Sequence, residues 1–368
     1  MKHWFGGRVE IENLIDMRVK QVEKNRVCIW DNLKYILIFL VVLGHMVDQY
    51  EDSELYQSIY VFAYAFHMPV FIFISGMFHK NERIAQKVFT FIALGFIYKF
   101  LLFSVRSFMH EEVELKFLRE SGAPWFMFAL ATFILLSYLL KDVNQGFVLI
   151  VFILMACFAG YDNKVDSKYV LSRILYFYPF FIAGNMVKRE RLETLARKKI
   201  LKFLGFCILL LWFFICIWKR EHYYGMLDIF MGQKVVDEEL FRGQCFVRLE
   251  CYLITLLTGF SIILLTPTGR IPFFTKFGGR TLQIYFWHRP ILYVLFDLGW
   301  ITMFCETMGG RILYALSAIP VTFLLALKPF GFPTSQIMWF GKEQPLSKER
   351  EVAQINDREN NSEIEEES

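Results

Sequence analysis

Two stretches of this 368-residue sequence contain no Asp, Glu, Lys or Arg: Leu55 to His79, 25 residues, and Ser121 to Leu140, 20 residues. A bilayer core asks for about 20 apolar residues per helix. Charge is scarce throughout, at 21 % of residues, while 55 % are apolar and mean hydropathy is +0.39. An average globular domain holds about 25 % charge and 45–50 % apolar residues. With 41 Phe, a soluble domain of this length could not hide its apolar surface. This excludes a cytosolic enzyme, a secreted disulfide domain and a disordered chain. The seven Cys include no CxxC pair and lie mostly in apolar runs, so they read as small buried hydrophobes, with no metal centre and no disulfide framework. No internal repeat, Gly-rich phosphate loop, HExxH or GxSxG occurs. No basic aromatic patch supports nucleic-acid binding. No cleavable signal peptide is expected, because the first apolar run starts only after Lys34, behind a polar stretch.

What remains is an all-α, polytopic transmembrane bundle in the membrane lipid. Hydropathy draws about ten spans, near 30–50, 58–78, 88–105, 123–140, 145–160, 169–187, 201–218, 250–268, 281–301 and 311–328. With odd spans running outward, 26 of the 40 Lys and Arg fall on one side, 10 on the other and four within spans. That asymmetry predicts both termini in the cytoplasm. The organisation expected is a cytoplasmic segment over 1–28, a membrane domain over 29–328 and a polar tail over 329–368. Residues 342–368 hold nine acids and four bases, the composition of a solvated, disordered tail. The ninth span carries Arg289 and Asp297 within about 80° of one face, so a pairing between them is expected.

Ionisable groups inside a membrane are costly and default to functional candidates. Lys34 and His45 are separated by ten residues, and eleven steps of 100° bring them within about 20° of one helix face. Their separation along the axis is about 16 Å, which puts His45 near the middle of the core when Lys34 marks the interface. Gly44 beside His45 permits close approach of another helix or a substrate. His67 and His288 lie at similar depths on other spans. Pro69 frees a carbonyl one turn back, open to a nearby polar group. The three imidazoles could converge on one cavity, or each could serve as an interhelical hydrogen-bond partner. An imidazole suits general-base work on a hydroxyl or transient acylation. A cation such as Lys34 or Arg83 suits a phosphate-bearing donor, or simply anchors the helix at the interface. Together these fit acyl transfer from a nucleotide thioester to an alcohol.

Several stretches then resemble one family. They are Trp30-Asp-Asn-Leu-Lys34 leading into Val41-Val-Leu-Gly-His45, then Phe66-His-Met-Pro-Val-Phe-Ile-Phe-Ile-Ser-Gly76. Pro124-Trp-Phe-Met-Phe-Ala-Leu130, Phe177-Tyr-Pro-Phe-Phe-Ile-Ala-Gly184 and Leu282-Gln-Ile-Tyr-Phe-Trp-His288 follow in order. Over about residues 28–328 the chain resembles the acyltransferase family 3 membrane proteins, nearest the fucose 4-O-acetylase-like branch. The resemblance implies roughly ten spans, acetyl-CoA as acyl donor and co-substrate, and a sugar hydroxyl on a surface or exported glycan, or a lipid-linked saccharide, as acceptor. It also implies a bacterial inner membrane. The family's Arg/Lys-x10-His motif falls on Lys34 and His45, with His45 as the catalytic residue. Its Arg-x-x-Arg motif meets Arg83-Ile-Ala-Gln-Lys87 here, with Gln86 in place of the second Arg and Lys87 one step on. Arg83 and Lys87 still share a face and could grip phosphate.

Supporting candidates are fewer in signal. Asp31 lies one turn before Lys34 and either positions it or forms an interfacial ion pair. Trp125 and Tyr285 could line a sugar site or belong to an aromatic belt. Arg280 could meet donor phosphates or mark the inner side. The function expected is a membrane O-acetyltransferase acting on a glycan. The alternative is a transporter or flippase of a glycan or lipid-linked sugar, which would equally need buried His and Arg.

Overall fold

The computed structural model describes residues 27–340, apart from 51, 110–112, 116–121, 160, 162–169 and 234–242. Among the described residues all regular structure is helical. The principal helices are Cys28–Val47 (α1), Glu54–Tyr64 (α2), His67–Met77 (α3), Ile84–Phe108 (α4), Trp125–Leu139 (α5), Gln145–Ala159 (α6) and Leu171–Met186 (α7). Lys199–Trp218 (α8), Gln244–Leu265 (α9), Thr281–Asp297 (α10), Met308–Leu316 (α11), Ala318–Leu325 (α12) and Thr334–Phe340 (α13) follow.

Helix lies at each of the ten apolar windows, but length separates them. Six units are long and apolar enough to cross a membrane: α1, the α2–α3 unit, α4, α8, α9 and the α11–α12 unit. The other windows hold α5, α6, α7 and α10, of 15 to 17 residues. At 1.5 Å per residue they rise about 22–26 Å, short of a roughly 30 Å core. Length and composition therefore support six crossing helices among the described residues, fewer than hydropathy drew.

The segments 1–26 and 341–368, which carry the expectations for the two termini, lie outside the described residues. Of the polar tail expected from 329, the first part is structured. A 3₁₀ turn at Lys328–Gly331 leads to α13, which packs on α10 and α4. Trp287 Nε1 donates to the Phe332 carbonyl at 2.7 Å and fastens this return.

Burial places α1 at the centre. It touches α2, α3, α10, α12 and the short helix Pro272–Phe277, whereas α8 shows most of its surface to the outside. Outward Ile200, Phe203, Leu211 and Trp218 suit a lipid environment. The helices approach closely where small residues allow it. Gly76 on α3 faces the Phe181 carbonyl, Gly184 on α7 faces the Phe73 carbonyl, and a Cβ on either glycine would strike that backbone.

The break between α2 and α3 follows from Pro69, which leaves the Ala65 carbonyl without its helical donor. Thr255 Oγ1 on α9 supplies the replacement at 2.6 Å, the polar partner the sequence called for. The break turns His67 and Met68 inward, next to α1.

Candidate active site

His45 lies in the last turn of α1 and Asp48 one turn further, at its C-cap. The i,i+3 spacing puts both on one face, and His45 Nδ1 sits 3.0 Å from Asp48 Oδ2. The same carboxylate oxygen accepts from Arg289 Nη2 of α10 at 3.1 Å, and Asp48 Oδ1 accepts from Gln49 Nε2 at 2.6 Å. A carboxylate can only accept, so His45 Nδ1 carries the proton and Nε2 holds the lone pair. The Tyr64 hydroxyl lies 3.0 Å from Nδ1 and 3.4 Å from Nε2. Gly44 makes this approach possible, since a Cβ there would come within 2.7 Å of the Tyr64 ring. The close neighbour that Gly44 admits is thus Tyr64.

The expected pairing of Arg289 with Asp297 is not formed, because Arg289 turns to Asp48, 241 residues away in the chain. A buried guanidinium takes the nearest carboxylate in space, and a local spacing rule does not see across helices. Side-chain exposures are 16 % for His45, 12 % for Asp48 and 17 % for Arg289, so solvent screens this cluster little.

The three imidazoles do come together. His288 stacks on His45 with ring centroids 5.1 Å apart and planes at 23°. His67 meets the Tyr64 ring edge-on at 4.6 Å. His67 Nδ1 donates to the Ala63 carbonyl at 2.8 Å, and His288 Nδ1 to the Tyr285 carbonyl at 2.6 Å. Each ring is therefore held by its Nδ1. His288 is fully buried and does not line the cavity that His45 and His67 share.

Three cavities run in series. A chamber of about 110 Å³ is lined by His45, Tyr64, His67, Trp125, Arg173, Phe177 and Arg289, among others. A second cavity of about 170 Å³ is apolar apart from Lys34, Ser75, Thr281 and Tyr285. Met68 and Tyr285 line both, so they are the wall between them. A third, of about 290 Å³, is a cationic cleft formed by Lys80, Arg83, Lys87 and Glu82, and it shares Phe91 with the second. Met338 of α13 lines this cleft as well. The series leads from a cluster of surface cations past Lys34 to His45.

The remaining candidates fall at different places. Lys34 Nζ pairs with Asp31 Oδ1 at 2.9 Å while lining the second cavity. Arg83 and Lys87 share the cationic cleft, and Lys87 Nζ donates to the Lys80 carbonyl. Arg280 lies apart from all three cavities. It donates to the Ala326 carbonyl at 2.8 Å and sits over the Phe277 ring, which ties α10 to the end of α12. Trp125 lines the chamber, but Phe177 stacks on it at 5.1 Å and the Arg173 guanidinium lies 4.8 Å over its ring. Tyr285 is locked by its hydroxyl on the Ala123 carbonyl at 2.6 Å.

Sequence reasoning passed over four residues of this site. Asp48 lies near the end of the first apolar window, and only its i,i+3 spacing from His45 marks it. Tyr64 had no signal beyond a helical position. Arg173 carries no signal beyond being a cation within the sixth window, 169–187. Met68 lay inside the recognised Phe66–Gly76 block without a role. No group of three or more His, Cys, Asp or Glu able to hold a metal exists among the described residues.

Taken alone, the site offers a base oriented by a carboxylate, set in a largely buried chamber that borders an apolar cavity. No curated protein and no solved structure matches the chain. Residues 29–327, which hold His45 and all its partners, match the acyltransferase domain of acyltransferase family 3, and the chain belongs to that family.

Proposed function

We propose that this acyltransferase is an integral protein of the bacterial inner membrane that moves an acetyl group from acetyl-CoA to a hydroxyl of a cell-envelope glycan or lipid-linked saccharide. The observation that carries this reading is the series of cavities from Arg83 and Lys87, past Lys34, to His45. A CoA thioester has the matching polarity along its length. Its nucleotide phosphates suit the cationic cleft. Its pantetheine arm suits the apolar middle cavity and spans the roughly 16 Å rise of α1 between Lys34 and His45. The positive-inside pattern favours the cleft on the cytoplasmic side, where CoA thioesters occur.

In the chamber, Nε2 of His45 takes the proton of the acceptor hydroxyl as its oxygen attacks the thioester carbonyl. The carbon–sulfur bond then breaks, and the imidazolium returns the proton to the departing CoA sulfur. Asp48 holds the ring by Nδ1–H and stabilises the transient positive charge. Arg289 in turn fixes Asp48. The Tyr64 hydroxyl stands where it can donate to oxygen that becomes negative.

The test separates donor binding from chemistry. Purified His45→Ala should bind CoA as wild type does and transfer no acetyl group. Arg83→Gln with Lys87→Gln should raise the KM for acetyl-CoA about tenfold, with kcat largely kept. Unchanged transfer by His45→Ala would refute the assignment.

A further inference from the structure

The wall between the passage and the chamber has two unlike halves. Tyr285 is fixed at both ends. Its hydroxyl donates to the Ala123 carbonyl at 2.6 Å, and its own carbonyl accepts from Tyr98 at 3.0 Å and from His288 Nδ1 at 2.6 Å. Met68 is buried and lies in the first turn of α3, beside His67. An unbranched thioether with three rotatable bonds adapts its shape readily. Anything moving between the two cavities passes a rigid Tyr285 and a movable Met68.

Volume then limits what stands beyond the wall. The chamber is about 110 Å³. An apolar cavity of about 150 Å³ holds one benzene molecule. An acetyl group therefore fits with room for an acceptor hydroxyl. A hexanoyl group is larger than benzene and would have to extend out of the chamber.

We propose that Met68 and Tyr285 set the acyl length that this protein accepts, restricting donors to short acyl groups of the acetyl class and excluding medium and long chains. This rests on the reading of a CoA thioester as donor. The selecting element is the Met68 side chain, because Tyr285 is held from three directions. Shortening Met68 widens the gap that the pantetheine arm crosses, so a longer acyl chain can fold back beside that arm into the 170 Å³ cavity.

The test uses the full-length protein in lipid nanodiscs and ketone analogues of acyl-CoA, in which a methylene replaces the thioester sulfur. Affinity is measured for CoA and for the two-, four- and six-carbon analogues. In wild type the six-carbon analogue should bind at least about tenfold more weakly than the two-carbon one. Met68→Ala should shrink that ratio to about threefold or less, while Met68→Leu, which keeps the bulk, should preserve it. A wild-type ratio near one would overturn the proposal. So would an undiminished ratio in Met68→Ala with CoA still bound. Failure of CoA and every analogue to bind wild type would overturn the donor reading, and the length filter with it.

Discussion

Asp48→Asn removes one charge at the centre of the site. The Asp48 carboxylate accepts from both His45 Nδ1 at 3.0 Å and Arg289 at 3.1 Å. Both contacts fall on Oδ2, and an amide oxygen in its place can still accept from both, while the NH₂ group takes the position of Oδ1 and turns the Gln49 amide around. What is lost is the negative charge that holds Nδ1–H firmly and stabilises the imidazolium formed when Nε2 takes a proton. The same exchange at the Asp–His pair of a serine protease lowers turnover roughly 10⁴-fold. Here the Tyr64 hydroxyl also touches both ring nitrogens and retains part of the orientation. The loss expected is about 10²–10³-fold in kcat, or roughly 3–4 kcal/mol on the barrier. Acetyl transfer from acetyl-CoA is measured at matched protein abundance, together with CoA affinity. Affinity should change little, since Asp48 faces none of the donor cations. More than about a third of wild-type turnover in Asp48→Asn would refute the role of the carboxylate.

Other consequences follow from the same contacts. Gly184→Leu should abolish accumulation of folded protein, because its Cβ would strike the Phe73 carbonyl and separate α7 from α3; detergent-resistant monomer on a sizing column measures this. Thr255→Val leaves the Ala65 carbonyl without its 2.6 Å donor and should cost about 0.6–1.7 kcal/mol, read as a lower thermal midpoint with activity kept below it. The KM increase of the Arg83→Gln, Lys87→Gln double variant should shrink as salt rises toward about 0.5 M, since screening already weakens the wild-type grip.

The legible part of this protein was whatever one helix determines. The spacing of Lys34 and His45 set their common face on α1, and the structure places both along one series of cavities. Pro69 announced an unpaired carbonyl, and Thr255 meets it. The hidden part was whatever two helices share. Spacing alone pairs Arg289 with Asp297 on its own helix, yet the packing of α10 on α1 brings Asp48 to it. Asp48 follows the last apolar turn of α1, and nothing on its own helix marks it as the partner of Arg289. Trp125 looked free to stack on a sugar, and only the placement of α7 shows that Phe177 and Arg173 lie on its ring. Of the ten windows that hydropathy draws, six hold helices long and apolar enough to cross a membrane among the described residues, α5 and α6 are apolar but short, and α7 and α10 are short as well.

The central claim is that acyl transfer runs through His45 in the chamber. Membranes holding wild type or His45→Ala at equal abundance are given labelled acetyl-CoA and the native glycan fraction, and label stable in glycan is counted. The account predicts label in wild type and none above background in His45→Ala. Equal label in both would place the base elsewhere and contradict it.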